Sequence, residues 1–300
     1  MNLFVTGARG RLASYLVPYL RAKSHQVLTF SRMGSTQHLS LQKFEEMLEK
    51  SYPDAVLHLA WSTVPASAEE SPGMECELDL GLLACMARAL LHHKPRHKSP
   101  ARFVFFSSCS IYGKKTSRGP FTEESKPSPE GWYACGKLSA ENILNFFQKT
   151  RALPVLILRI SNPYGFAQDP KSLQGVIPGL IRAAQDKKPF KIWGSQKIVK
   201  DFLYVEELAS LLNQSLQKNL KGAFNLCSGK QTPLGELISK IGKIFGRIRL
   251  DRHPSKAWDI HNGYYSNKKI RQALGWAPRI TLDKGLRLIH EGSSRSKKKK

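Results

Sequence analysis

A short apolar run, Leu3-Phe4-Val5-Thr6, is followed at once by Gly7-Ala8-Arg9-Gly10 and then by an amphipathic stretch over 12–23. The run reads as a buried strand, and the apolar spacing of 12–23 reads as a helix folded back on it. No other feature restricts the fold as much. Gly7 makes the tight turn, and Gly10 lets backbone come close to a diphosphate. The N–H groups of Arg11 and Leu12 open the helix and carry the positive end of its dipole. Ala13 is small enough for close helix–strand contact. A strand before and a helix after make this glycine pair a candidate dinucleotide site.

The same alternation continues. Strands are predicted at 27–30, 55–59, 103–107 and 155–160, with helices at 77–91 and 138–150 and a further strand near 37–40. Strands separated by helices imply βαβ units, hence an α/β fold with a doubly wound parallel sheet. Past residue 160 the pattern changes, with Pro163, Gly165, Pro170, Gly175, Pro178 and Gly179 crowded together. The expected organisation is a dinucleotide-binding domain over 1–162, a smaller C-terminal lobe from 163–198 and 228–290, and a disordered basic tail at 291–300. Segment 199–227, with a strand at 199–204, a helix at 206–217 and a strand at 223–226, is expected to return to the sheet. The 300 residues, 41% of them hydrophobic, suffice for two cores of this size.

Lys and Arg total 47 against 23 Asp and Glu, a formal charge of +24. No aromatic-interleaved basic stripe and no helix-turn-helix pattern accompanies it, so nucleic acid is not the expected partner. A positive field suits a small anionic substrate. No apolar run is long enough to span a membrane. Cys76, Cys85, Cys109, Cys135 and Cys227 fit no metal-ligand spacing, and no metal is expected. They read as free thiols in a reducing compartment. With a strand starting at residue 2 and no room for a signal peptide, the expected location is cytoplasmic.

The second strand ends in Phe30-Ser31-Arg32. Sites that prefer NAD often place an acid there for the ribose hydroxyls, whereas an arginine suits a 2′-phosphate. Arg32, with Arg9 in the glycine loop, favours NADP over NAD as the cofactor. For chemistry, Tyr133 and Lys137 stand four apart, on one face of a helix. A lysine there lowers a tyrosine's pKa, and the tyrosine then exchanges a proton with a sugar hydroxyl. Tyr19/Lys23, Tyr264/Lys268 and Tyr265/Lys269 share the spacing, and position alone selects Tyr133. It opens the helix before strand 155–160, near the carboxyl edge of the sheet. Ser108, directly after strand 103–107, brings a second hydroxyl to that edge, where such folds bind ligands.

Taken in order, TGARGRLA at 6–13, HLAW at 58–61, SSCSIYG at 107–113, YACGK at 133–137, RISNPYG at 159–165, IWGSQKIVKDFLYVEEL at 192–208, FNLCSG at 224–229 and LGWAP at 274–278 carry a resemblance. The chain resembles the extended short-chain dehydrogenase/reductase family, in its nucleotide-sugar epimerase/dehydratase branch. The resemblance implies a Rossmann domain holding NAD(P) and a C-terminal lobe that binds a nucleotide-diphospho-sugar. It further implies Ser108, Tyr133 and Lys137 as the catalytic set, with Lys137 also on the cofactor ribose, and Leu59 and Ala60 as cofactor lining. Asn162, Trp193, Lys200 and Arg252 are implied for the substrate: Asn162 and Lys200 at the diphosphate, Trp193 at the base, and Arg252, in competition with Lys256, as a second diphosphate ligand. Lys200 stands where the family usually has arginine. The family's Gly-Asp pair after the third strand is missing, and Asp79 stands where asparagine is common. Cys109 and Ser110 replace the acid pair of 4,6-dehydratases, so water elimination is not expected. Helices 77–91 and 138–150 are candidates for a homodimer interface.

Three functions compete. The leading one is a nucleotide-sugar epimerase of the UDP-hexose 4-epimerase kind. The rival is an NADPH-dependent nucleotide-ketosugar reductase, and the third is a non-catalytic NADP-binding regulator.

Overall fold

The computed structural model describes residues 1–31, 40–93, 100–114, 119–166, 175–255 and 263–297. Arg32, Lys256, residues 37–39 of the strand expected near 37–40, and residues 94–99 lie outside the described residues. Two compact units result: Met1–Gly113 with Lys126–Ile160 and Leu212–Phe224, and Lys114–Ser125 with Ser161–Leu211 and Asn225–Lys300.

In the first unit the chain runs β1 (Asn2–Thr6), α1 (Arg11–Ala22), β2 (Gln26–Phe30), α2 (Leu41–Ser51), β3 (Ala55–His58) and α3 (Pro65–Glu70). A π turn (Cys76–Leu80), α4 (Gly81–His92), β4 (Arg102–Ser108), a 3₁₀ turn (Cys109–Tyr112), α5 (Trp132–Arg151) and β5 (Val155–Ile160) follow. Helix α1 buries Ala13, Leu16, Val17 and Leu20, the spacing that the sequence pattern implied. Ser40 caps α2 by accepting from the Lys43 N–H at 3.2 Å. The strands are almost wholly apolar and buried, as a sheet covered on both faces requires. β2, β1, β3, β4 and β5 pair in parallel, in that spatial order. Phe4, Phe44, Phe103, Phe105, Leu144 and Ile157 belong to the core beside them. Sequence order reverses between β1 and β3, and such a switch point opens a crevice at the strands' carboxyl ends.

The second unit holds β6 (Asn162–Tyr164), α6 (Val176–Gln185), β7 (Phe190–Trp193), β8 (Val199–Lys200), β9 (Phe202–Tyr204) and the first half of α7 (Val205–Gln217). After β10 (Gly222–Leu226) it continues with β11 (Thr232–Pro233), α8 (Leu234–Phe245), β12 (Leu250–His253), α9 (Lys268–Leu274) and α10 (Leu282–Lys297). β10 joins the main sheet beside β5, as expected. The expected strand at 199–204 does not. It splits at Asp201 into β8, paired with β11, and β9, paired with β6. Buried Asp201 accepts hydrogen bonds from the Ser161 and Ser228 hydroxyls and from the N–H groups of Ser228, Gly229 and Lys230. A carboxylate that takes five donors fixes the chain there and stops a continuous ladder. The return to the first unit therefore begins at Leu212, not at residue 199. Helix α10 extends to Lys297, so 291–297 are helical where a disordered tail was expected. Glu291, Arg295 and Lys297 in that stretch are good helix formers.

Candidate active site

Gly7, at the end of β1, has φ +71°, and a Cβ there would lie 2.5 Å from the Ala60 nitrogen. Only glycine allows that approach of the loop to the end of β3. The Leu59 N–H donates to the Thr6 carbonyl, and the Gly10 N–H to the Gly7 carbonyl at 2.9 Å. Gly10 then caps α1, whose first turn begins at Arg11 and Leu12. Gly7, Gly10, Arg11, Leu12, Leu59 and Ala60 thus come together at the switch point. Next to them a cavity of about 590 Å³ is lined in part by Arg9, Arg21, Thr29, Ser31 and Lys43. No acid among the described residues lines it. A turn that no Cβ could enter, a helix N-terminus and a basic cleft beyond fit a dinucleotide.

The chemistry-bearing side chains lie at the carboxyl end of β4 and the start of α5. Ser108 ends β4, and its Oγ accepts from the Ser110 N–H at 3.1 Å and from Ser110 Oγ at 2.9 Å. With its acceptor sites engaged, Ser108 keeps its own proton to donate outward. Tyr133 is half-buried, and Lys137 follows one turn later, 4% exposed. The Lys137 ammonium donates to the Phe106 carbonyl at 2.9 Å and lies 5.7 Å from the Tyr133 ring centroid. The spacing to Lys137 implied a lowered tyrosine pKa, but burial, reinforced by the Glu75 carboxylate, instead pushes the Tyr133 hydroxyl well above its ordinary value. Burial lowers Lys137 to about 7, against the opposing charges of Asp79, Glu141 and Glu75. Buried Asp79 accepts from the Ser62 N–H and hydroxyl; burial raises it and the Ser62 bonds hold it down.

The Lys137 shift has a thermodynamic signature. Between pH 7 and 10.5 the unfolded chain binds more protons at this residue than the folded one, so its contribution to stability rises with pH. Lys137→Met should therefore be the more stable protein at pH 7, and its advantage should fall by about 2–3 kcal/mol by pH 9, since one proton over two pH units is worth about that much. Urea unfolding of both proteins at the two pH values measures it.

Behind the site, Glu141 is 1% exposed and forms a double hydrogen bond with Arg159, closest at 2.7 Å. Ser107 Oγ donates to Glu141 at 2.5 Å, and Arg159 donates to the Tyr112 hydroxyl at 2.8 Å. This network ties β4, α5, the 3₁₀ turn and β5 together. Cys109 is buried and donates to the Arg159 carbonyl, whereas Cys135 is exposed on α5.

The remaining expected residues belong to the second unit. Asn162 Nδ2 donates to the Asp201 carbonyl at 2.8 Å. Lys200 is half-buried in β8. Trp193 stacks on His253, with centroids 5.5 Å apart, because β7 and β12 pair in register. Arg252 is exposed, with its guanidinium 2.7 Å from the Gln196 side-chain amide, which accepts from it once the amide is turned. His253, Trp61, Glu75 and Glu141 were missed in the sequence. Their partners lie far along the chain, and only the HLAW motif drew attention near Trp61. Among the described residues no group of acids, cysteines and histidines forms a metal site, and no helix is long and apolar enough to cross a membrane.

Residues 3–227 match the NAD dependent epimerase/dehydratase family, and the chain belongs to it. A dTDP-4-dehydro-6-deoxyglucose reductase of Escherichia coli is 27% identical over 86% of this chain and 79% of its own. The UDP-glucose 4-epimerase of Mycolicibacterium smegmatis is 25% identical over 95% of this chain and 96% of its own. A crystal structure of Thermotoga maritima UDP-glucose 4-epimerase with UDP-glucose superposes with a TM-score of 0.87, at 23% identity over 99% of both chains. Nucleotide-sugar epimerases, dehydratases and reductases are thus this chain's relatives, and some neighbouring structures contain NAD.

Proposed function

We propose that the protein is a cytoplasmic nucleotide-sugar epimerase, acting at C4 of a UDP-hexose with Tyr133 as acid and base. The observation that carries this reading is the end of β4. Ser108 is backed by Ser110, and Cys109 is turned into the interior toward the Arg159 carbonyl. No acid follows Ser108, so nothing there protonates a departing hydroxyl as a dehydratase requires. A near full-length match to a UDP-glucose 4-epimerase supports the epimerase, and an equally long match to a GDP-6-deoxy-D-mannose reductase keeps the reductase beside it.

Gly7, Gly10, Arg11, Leu12, Leu59 and Ala60 would hold the dinucleotide, with Lys137 toward its ribose. Bound there, the nicotinamide supplies hydride exchange. Tyr133 holds a proton at its hydroxyl oxygen, gives it to or takes it from the sugar hydroxyl, and is steadied by the charge of Lys137. Ser108 donates to the same sugar oxygen. Asn162, Trp193, Lys200 and Arg252 would hold the nucleotide-diphosphate. Incubation with UDP-galactose should yield UDP-glucose without lasting absorbance change at 340 nm. NADPH loss in proportion to an added nucleotide-4-ketosugar, with no epimer formed, would replace this reading with the reductase.

One observation favours that second reading. Arg9, Arg21 and Lys43 line the cleft beside the glycine turn, with no acid among the described residues, which suits the 2′-phosphate of NADP. Arg9→Ala should weaken NADP binding by about 1.5–3 kcal/mol, the worth of a charge-assisted hydrogen bond, and leave NAD unchanged by calorimetry. Equal affinity of the unmutated protein for NAD and NADP would refute the preference.

A further inference from the structure

The surroundings of Lys137 contain a feature the proposed chemistry does not use. Its ammonium lies 3.7 Å from the Trp61 ring centroid, 4.8 Å from that of Phe105 and 5.7 Å from that of Tyr133. Three aromatic rings, from the loop after β3, from β4 and from α5, therefore face one cation, and the Phe106 carbonyl accepts from it. No carboxylate oxygen lies within salt-bridge distance of Lys137 among the described residues. A buried ammonium without a direct counter-ion needs another source of stabilisation, and aromatic faces supply it when water is excluded.

Trp61 reaches this position because residue 136 has no side chain. A Cβ on Gly136 would lie 3.3 Å from Trp61 Cζ2 and 2.9 Å from Glu75 Cγ. Trp61 also rests against Phe105, with ring centroids 5.8 Å apart.

We propose that Trp61 is a positioning residue that, with Phe105 and the Tyr133 ring, forms an aromatic cage holding Lys137 as an ammonium ion against the Phe106 carbonyl. Trp61 touches no reacting atom; it acts through Lys137. Other ionisable groups face the ammonium too: His58 from β3, Glu75 and Asp79 at the π turn, and Tyr133 and Glu141 on α5. Glu141 is already committed to Arg159 of β5. His58 is buried against Thr6 and is held neutral, down to about 3, by burial and by the charge of Lys137.

The direction of one titration separates a cage from simple packing. Removing a packing side chain admits water, which favours the ammonium and raises the lysine midpoint. Removing a cation–π partner disfavours the ammonium and lowers it. The experiment is ¹³C NMR of the full chain labelled at lysine Cε, with the Lys137 signal assigned by its loss in Lys137→Arg. In Trp61→Leu the midpoint should fall by about one pH unit, a tenfold loss of proton affinity. Trp61→Phe, which keeps a ring, should give a smaller fall and guards against a folding defect in the first variant. An unchanged or raised midpoint in Trp61→Leu, with melting temperature and the other lysines unaltered, would overturn the proposal. The inference rests on the role given to Lys137 in the proposed function. The titration needs neither substrate nor dinucleotide, so it can fail while epimerisation is observed, and the reverse.

Discussion

Tyr133→Phe should leave the melting temperature nearly unchanged and lower turnover by about 10²- to 10⁴-fold, the usual contribution of a positioned acid or base. The substitution removes one oxygen and keeps the ring that faces Lys137, so binding and packing are preserved. Dinucleotide affinity should stay within about twofold, because no uniform binding contact is lost. Tyr19→Phe is the control. Tyr19 shares the four-residue spacing to a lysine and also lies near it, with Lys23 Nζ 5.7 Å from its ring. It sits midway along α1 against Tyr15, away from the strand ends. Equal turnover in the two variants would remove Tyr133 from the mechanism.

Glu141→Ala should destabilise the first unit by about 3–5 kcal/mol, because it leaves the Arg159 guanidinium buried without its counter-charge. Burial alone works against that charge. The Glu141 and Tyr112 contacts more than offset it and hold the guanidinium above its ordinary pKa. Replacing both partners, as Glu141→Leu with Arg159→Met, should recover most of the loss, since a buried pair is often no more stable than apolar residues of similar volume. Urea unfolding of the two single variants and the double variant measures the coupling directly. If Glu141→Ala unfolds at the urea concentration of the unmutated protein, the network contributes nothing to holding α5 on β4 and β5.

What could be read from the sequence was local. The strand–glycine–helix unit around Gly7 is encoded within about a dozen residues, and its helix face repeats with helical period, so it was legible without any partner. The buried strands of the sheet were legible for the same reason. The 199–204 segment looked like one more strand, yet a run of alternating residues does not say which strand it joins. Buried Asp201 at its centre, with donors from 161 and 228–230, decided the matter, and those donors are distant in sequence. Tyr133 and Lys137 were found by their spacing but chosen over three equal matches only by place in the fold. Trp61, Glu75 and His253 carry no spacing rule at all, because each meets its partner on an element many residues away in the chain.

The π turn at Cys76–Leu80 makes the site sensitive to chain length. Such a turn holds one residue more than the α-helical register around it. Loss of that residue would restore a regular helix running into α4 and rotate everything upstream by about 100°. Glu75 would then swing off Gly136, and the carboxylate nearest the tyrosine would be gone with no substitution at either position. A change of chain length in this stretch would therefore retune the proton at Tyr133 as surely as a substitution of Glu75.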